Sequence, residues 1–225
     1  MNSKYKICKD IQITFNIIVS QTSDGGISCE GEKPFSLIKE MQRFEQITLN
    51  TYNSSIPNII IMGYKTWISF FLKKNYFSKR IKIIIDHDVE QNSYELTKLN
   101  KNKIMFSVNN FEDALYLSGQ LKKDNIDLIY KVWVIGGSKI FNESIMHPLL
   151  NKIYLTKVHI DIKCDKFFPK IEDIIFFRLK KQSKCTELIN IECATELDIK
   201  SNFIIYKIIP LESEINNKKI KMFIY

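Results

Sequence analysis

Lys131-Val132-Trp133-Val134-Ile135-Gly136-Gly137-Ser138-Lys139-Ile140-Phe141 is the stretch around which the chain is read. Val132 to Ile135 form a short, continuously apolar run, the pattern of a central strand buried on both faces. Gly136 and Gly137 end it abruptly. A glycine pair at that point allows backbone conformations closed to other residues and lets a ligand approach within contact distance. Ser138 follows as a candidate helix N-cap, with Ile140, Phe141 and Ile145 behind it. The N–H groups of such a helix start suit a phosphate, although a tight strand-to-helix turn without a ligand has the same pattern.

The rest of the chain narrows the choice. With 225 residues and 45% apolar content, it suits one globular domain with a sizeable core. The net charge of +8 comes from lysines scattered among asparagines and isoleucines, without a long basic block. The charge could suggest nucleic acid, but without such a block a field that steers a small anion is equally consistent. Cys8, Cys29, Cys164, Cys185 and Cys193 are odd in number and form no C-x-x-C pair, which indicates neither a metal site nor a disulfide framework. Reduced thiols in a cytoplasmic protein are the simplest account. No apolar run is long enough for a membrane span, and Lys4, Lys6, Lys9 and Asp10 make the N-terminus a poor signal peptide.

In chain order, Phe15 to Ser20 read as a first buried strand, left by a polar loop from Gln21 to Lys33. At roughly a dozen residues this loop exceeds the usual connection and suggests a binding loop or lid. Ser36 is the candidate N-cap of a helix with Leu37, Met41, Phe44 and Ile47 at helical spacing. Glu40 falls inside that stripe, one turn after Leu37 and one before Phe44. A carboxylate on a face that packs against a sheet must be paired, neutralised by a raised pKa, or used on a ligand.

Asn58 to Met62 is a second strand, closed by Gly63, after which Tyr64, Lys65 and Thr66 open a helix through Trp67, Ile68 and Phe71. This glycine-to-helix junction repeats the phosphate-site pattern of Gly136 and Gly137, and two such junctions suit a dinucleotide. Arg80 opens a third strand, Ile81 to Ile85, ending at Asp86 and His87; its planar fork suits a carboxylate. Residues 103 to 107 make a fourth strand, and Asn110 caps a helix from Phe111 to Lys122. Ile153 to Val158, Ile174 to Leu179 and Phe203 to Ile209 supply the last strands. About eight strands and four helices in this order indicate an α/β fold with a mixed, mostly parallel sheet flanked by helices.

From about Phe15 to Lys207 these residues resemble the dihydrofolate reductase family. The ordered motifs are Gly26-Ile27 to Pro34-Phe35, the Glu40 and Phe44 helix, Ile61-Met62-Gly63 with Lys65-Thr66-Trp67, Arg80, Val134 to Ser138, Tyr154-Leu155-Thr156, and Asp165 to Pro169. The resemblance implies an eight-stranded mixed sheet with four helices, within a domain spanning 15–209. Residues 1–14 would form an N-terminal extension and 210–225 a C-terminal tail. It also implies hydride transfer from NADPH to C6 of dihydrofolate, with N5 gaining a proton, giving tetrahydrofolate for thymidylate and purine synthesis.

Glu40 would hold the pterin's amino-pyrimidine edge and assist protonation, with Thr156 bonded behind it; Phe35 stands where the family usually has Trp. Asn16, Ile17, Met41, Phe44, Ser69, Phe77 and Ile135 would bind the substrate, and Arg80 would grip its glutamate carboxylate. Ile18, Ile27, Gly63, Tyr64, Lys65, Thr66, Asp86, His87 and Asn109 would meet the cofactor. So would Gly136 and Gly137, joined in the family by a cis peptide, and Ser138, Lys139, Ile140 and Phe141. Implied partners are dihydrofolate and antifolate inhibitors, with no nucleic acid, membrane or metal.

The sequence departs from the family in three places, the first being two extra loop residues around Asp24 and Gly25. Lys33 stands where the family has an apolar residue against pterin and nicotinamide; there it would crowd the site or snorkel outward. Among Tyr64, Asp86, His87 and Asn109, which would meet the ribose 2′-phosphate, none carries a permanent positive charge. A relaxed or reversed preference, with NADH accepted, is therefore expected.

Two alternative readings follow: a degenerate reductase-like protein acting as a binding or assembly component, and a related reductase acting on a pyrimidine intermediate of riboflavin synthesis. Arg80, Glu40 and Phe44 together argue for a folate and against the second. In many protists the family enzyme is fused to thymidylate synthase. Leu211 to Tyr225 is too short for that domain; with Lys218, Lys219 and Lys221 among Ile220, Met222, Phe223 and Tyr225, it reads as an added strand, a contact for a protein partner, or disorder.

Overall fold

Alternating residues of each central strand divide between two apolar layers. The computed structural model describes residues 13–51, 57–71, 77–87, 97–99, 103–124, 131–171, 177–191 and 195–208. Its strands are β1 (Phe15–Gln21), β2 (Gly26–Ser28), β3 (Asn58–Gly63), β4 (Arg80–Ile85), β5 (Thr97–Leu99), β6 (Lys103–Val108), β7 (Val132–Val134), β8 (Leu150–Val158), β9 (Lys166–Phe167), β10 (Phe177–Ile191) and β11 (Thr195–Ile208). The helices are α1 (Ile38–Leu49), α2 (Tyr64–Phe71), α3 (Phe111–Asp124) and α4 (Ser138–Ile145).

Ile17, Val19, Ile59, Ile61, Ile83, Ile85, Val132 and Val134 join a core with Phe111 and Leu115 of α3 and Ile140 and Phe141 of α4. The intervening Ile18, Ile60, Met62, Ile84 and Trp133 pack on the other side with Phe44 of α1 and Trp67 of α2. A strand side-chain period of two explains why continuously apolar runs are needed here: both faces are covered.

The main sheet has the order β10-β11-β8-β1-β7-β3-β4-β6-β5. From β8 to β6 neighbouring strands run parallel; β11 lies antiparallel to β8, β10 to β11, and β5 to β6. The α/β class, the mixed sheet and the four flanking helices match the expectation. Among the described residues the sheet has nine strands rather than eight, the addition being the three-residue edge strand β5. The closing hairpin of β10 and β11 absorbs much of the segment expected to be a polar excursion. The N-terminal extension up to residue 12, the tail from residue 210 and the expected strand start at Ile174 lie outside the described residues.

Two expected caps shift. α1 has Leu37 at its N-cap position rather than Ser36, and α4 has Gly137 there rather than Ser138, so neither start is closed by a side chain. Asn110 caps α3 as expected: the Asp113 amide donates to Asn110 Oδ1 at 2.8 Å, while Asn110 Nδ2 donates back to Asp113 Oδ2 at 2.9 Å. Part of the long loop after β1 is also ordered. β2 pairs with β9, and the Phe168 amide donates to the Gly25 carbonyl at 2.9 Å.

Candidate active site

The carboxyl ends of β1, β3, β4 and β7 open into a cavity of about 880 Å³. In parallel α/β sheets ligands bind at this end, and the volume lies in the usual range for small-molecule and cofactor sites. One side is built from backbone turns. β3 passes directly from Gly63 into α2, while β7 passes through Ile135, Gly136 and Gly137 into α4. The Gly136–Gly137 peptide is cis, as the family resemblance implied, and Gly136 has φ +111°. The Gly63 amide donates to the Gly136 carbonyl at 2.8 Å, locking the two turns together. A side chain at Gly136 would meet Phe141 Cε2 at 2.8 Å, and one at Gly137 would meet Thr66 Oγ1 at 3.1 Å. Gly136 is thus required by close approach and by backbone angle, while Gly137 is favoured by its tight contact with Thr66.

This geometry brings the N-termini of α2 and α4 to one wall, with Tyr64, Lys65, Thr66, Ser138 and Lys139 around them. Both helix starts present partial positive charge to a ligand. Lys139 Nζ also lies 2.8 Å from His87 Nε2, beside Asp86 at the end of β4. The cation missing from His87's own position is therefore supplied across the cavity by α4. The Asp86 amide donates to the Val108 carbonyl at 2.9 Å, setting the end of β6 beside that of β4. The next residue, Asn109, has a buried Oδ1 with no hydrogen-bond partner among the described residues. The helix-start N–H groups, with Lys65 and Lys139, make a donor set that fits a phosphorylated dinucleotide.

The other wall is made by α1 and the loop after β2. Glu40 and Met41, from the first turn of α1, and Phe44 one turn further on line it, with Ile18, Ile135 and Ser69 nearby. Of the three fates open to a carboxylate on this face, the structure realises pairing: Lys33 Nζ forms an ion pair with Glu40 Oε2. The Glu40 side chain is 9% exposed and that of Lys33 28%. Lys33 is also held 3.9 Å from Met41 Sδ and 5.1 Å from the centre of the Phe35 ring. It neither snorkels away nor simply crowds the cavity.

Ile27, Gly63, Ile140 and Phe141 also line the cavity as expected. Asn16, Ile17, Phe35, Phe77, Arg80, Asn109, Gly136 and Thr156 are absent from its wall. Asn16, expected to offer its backbone carbonyl, has its side-chain Oδ1 accepting from Asn151 Nδ2 at 3.1 Å, and Ile17 is core. Thr156 is buried in β8, opposite Ser20 of β1 and Phe203 of β11. Phe35 packs with Leu37 and Val158.

Arg80 is fully enclosed, 5.8 Å from the Phe44 ring and 5.7 Å from that of Phe77. It donates to Thr48 Oγ1 and lies 3.8 Å from Glu45 Oε1. Burial pushes the guanidinium down to about 10, with Glu45 acting in the opposite direction, so it stays cationic at neutral pH.

Asp165 and Lys166 also line the cavity, although no role was read for them. Only the pairing of β9 with β2 brings them there.

These features define an α/β domain with a ligand-sized cavity at the carboxyl edge of its sheet. The dihydrofolate reductase family model matches residues 14–195. The chain is similar to dihydrofolate reductase from Heliothis virescens, 31% identical over 162 residues, covering 72% of this chain and 82% of that protein. It is also similar to dihydrofolate reductase from Sus scrofa, 27% identical over 197 residues, covering 85% of this chain and 96% of that protein. A third relative, the bifunctional dihydrofolate reductase-thymidylate synthase of Glycine max, is 30% identical over 167 residues. The match covers 74% of this chain but only 30% of that relative. The chain belongs to the dihydrofolate reductase family.

Proposed function

We propose that this protein reduces 7,8-dihydrofolate to tetrahydrofolate with NADPH. The observation that carries the reading is a single cavity bounded on one side by a buried acid, Glu40, and on the other by two glycine-to-helix turns with a lysine in each first turn. Bound NADPH supplies the hydride that adds at C6 of the pterin. Lys65, Thr66 and Ser138 hold the cofactor's phosphates, and Lys139 with His87 takes the ribose 2′-phosphate.

Glu40 accepts hydrogen bonds from the amino-pyrimidine edge, orients the ring and assists proton delivery towards N5. Phe44 and Met41 flank the folate's aromatic part and exclude water. Arg80, caged by Phe44 and Phe77, remains cationic and attracts the glutamate tail; its bonds to Thr48 and Glu45 fix the guanidinium plane.

A second reading, a family member that binds ligands without turnover, is favoured by the Lys33–Glu40 pair, since the proposed acid is already engaged. Absorbance loss of reduced cofactor, followed with purified protein, dihydrofolate and either NADPH or NADH, separates the two. Turnover supports the reductase, and folded protein that binds dihydrofolate but leaves both cofactors unconsumed supports the second reading. With Lys139 placed at His87, NADPH is expected to be used in preference to NADH.

A further inference from the structure

Lys33 is held in place by its own segment. Glu30 and Gly31 have φ of 50° and 88°, and Cys29 and Glu32 exchange both backbone hydrogen bonds at 2.9 Å. This is a two-residue hairpin turn with positive φ at both central positions. It delivers Lys33 immediately after the turn, and Pro34 restricts the backbone on the far side. The ammonium group is then held by the Glu40 carboxylate, the Met41 sulfur and the Phe35 ring.

We propose that Lys33 is a tethered counter-ion for Glu40 that makes the pocket discriminate among heterocycles by charge, admitting neutral rings and disfavouring protonated ones. The proposal rests on the reading of Glu40 as the pterin-binding acid.

The reasoning is electrostatic. Lys33 engages Oε2, leaving Oε1 to accept N–H donors from a neutral amino-pyrimidinone ring. A ring that carries its own proton, such as a diaminopyrimidine, gains its advantage from an unpaired carboxylate, because ionic hydrogen bonds are roughly twice as strong as neutral ones. Here that carboxylate is already paired, and the incoming cation meets an ammonium group at short range, where like charges repel. Lys33 is thus a specificity-determining residue rather than a catalytic one.

The test uses folate and its 4-amino analogue, which differ at one ring substituent and therefore in basicity. Dissociation constants are measured by calorimetry on the full chain for wild type, Lys33→Met, Lys33→Leu and Lys33→Arg. Removing the charge is expected to tighten binding of the 4-amino analogue by about tenfold or more relative to folate, the size of one charge-assisted hydrogen bond. Lys33→Arg is expected to keep the wild-type ratio.

Lys33→Leu repeats the measurement should Lys33→Met not fold. An unchanged ratio in either folded neutral variant overturns the proposal while leaving the functional reading intact. Failure of wild type to bind either compound overturns both.

Discussion

The two walls of the cavity are built on different principles. One wall is built on backbone: Gly63, Gly136 and Gly137 turn strands into helices, and Lys65, Thr66, Ser138 and Lys139 arrive from helix first turns. The opposite wall is made of side chains, and its character depends on Lys33, delivered by a hairpin seven positions before Glu40 along the chain. Backbone walls tolerate little change because close approach fixes them. Side-chain walls can be re-specified by one residue.

The largest expected effect falls on the side-chain wall. Glu40→Gln removes the acid while keeping its shape and should lower kcat/KM by about 10²- to 10⁴-fold, read in steady-state assays with the far-UV spectrum unchanged. An equally active variant would break the comparison, because the wall's chemistry would then not reside in Glu40.

On the backbone wall, Gly136→Ala should cost about 2 kcal/mol or more in denaturant unfolding and weaken NADPH binding. Its Cβ would collide with a Phe141 ring already packed 5.1 Å from Phe168, at a φ that L residues rarely adopt. Gly31→Ala is the control: its φ is also positive, at 88°, but nothing lies within 4 Å of the added carbon. Its cost should be the smaller, about 1 kcal/mol.

Lys139→Met should weaken NADPH by about tenfold and leave NADH nearly unchanged, measured as the ratio of the two dissociation constants. Equal losses would mean that Lys139 reads the shared phosphates instead.

The smallest effect lies outside the cavity and tests whether titration of the core can be separated from the site. His147 packs against the rings of Phe15 and Phe111, with Nδ1 accepting from the Leu149 amide and Nε2 facing Glu112. Burial holds its pKa below the ordinary 6.5, and Glu112 acts against that shift. The folded state therefore binds fewer protons than the unfolded chain. The stability that His147 contributes is present above pH 6.5 and lost as pH falls through its folded value. The slope from this group is at most about 1.4 kcal/mol per pH unit, and urea unfolding between pH 7 and 5 with His147→Gln alongside should show a shallower loss in the variant.

How much of this was legible in the sequence follows the same division. Strands flanked by glycine could be read because burial on both faces leaves a continuous apolar run, as in Ile59 to Met62 and Val132 to Val134. The first-turn residues Lys65, Thr66, Ser138 and Lys139 followed from those boundaries. Contacts made by chain closure were not legible. Lys33 was read as a misfit against a ring, because only the Glu30–Gly31 turn sends it to Glu40. The positive charge that Tyr64, Asp86, His87 and Asn109 lack arrives at His87 from Lys139 of α4, a juxtaposition that only the fold makes. Asp165 and Lys166 reach the cavity only through pairing of β9 with β2, and the short edge strand β5 has no apolar run to mark it. Ser36 and Ser138 have the chemistry of caps but sit one position away from the positions that Leu37 and Gly137 take.

The central claim is that the two walls bring a reduced nicotinamide and a dihydropterin together for direct hydride transfer. The most direct test uses NADPH deuterated at both C4 positions with dihydrofolate and the wild-type protein, followed by mass spectrometry of the product. The account requires one deuterium per molecule of tetrahydrofolate. Unlabelled tetrahydrofolate, or none formed by folded protein that binds both ligands, would contradict it.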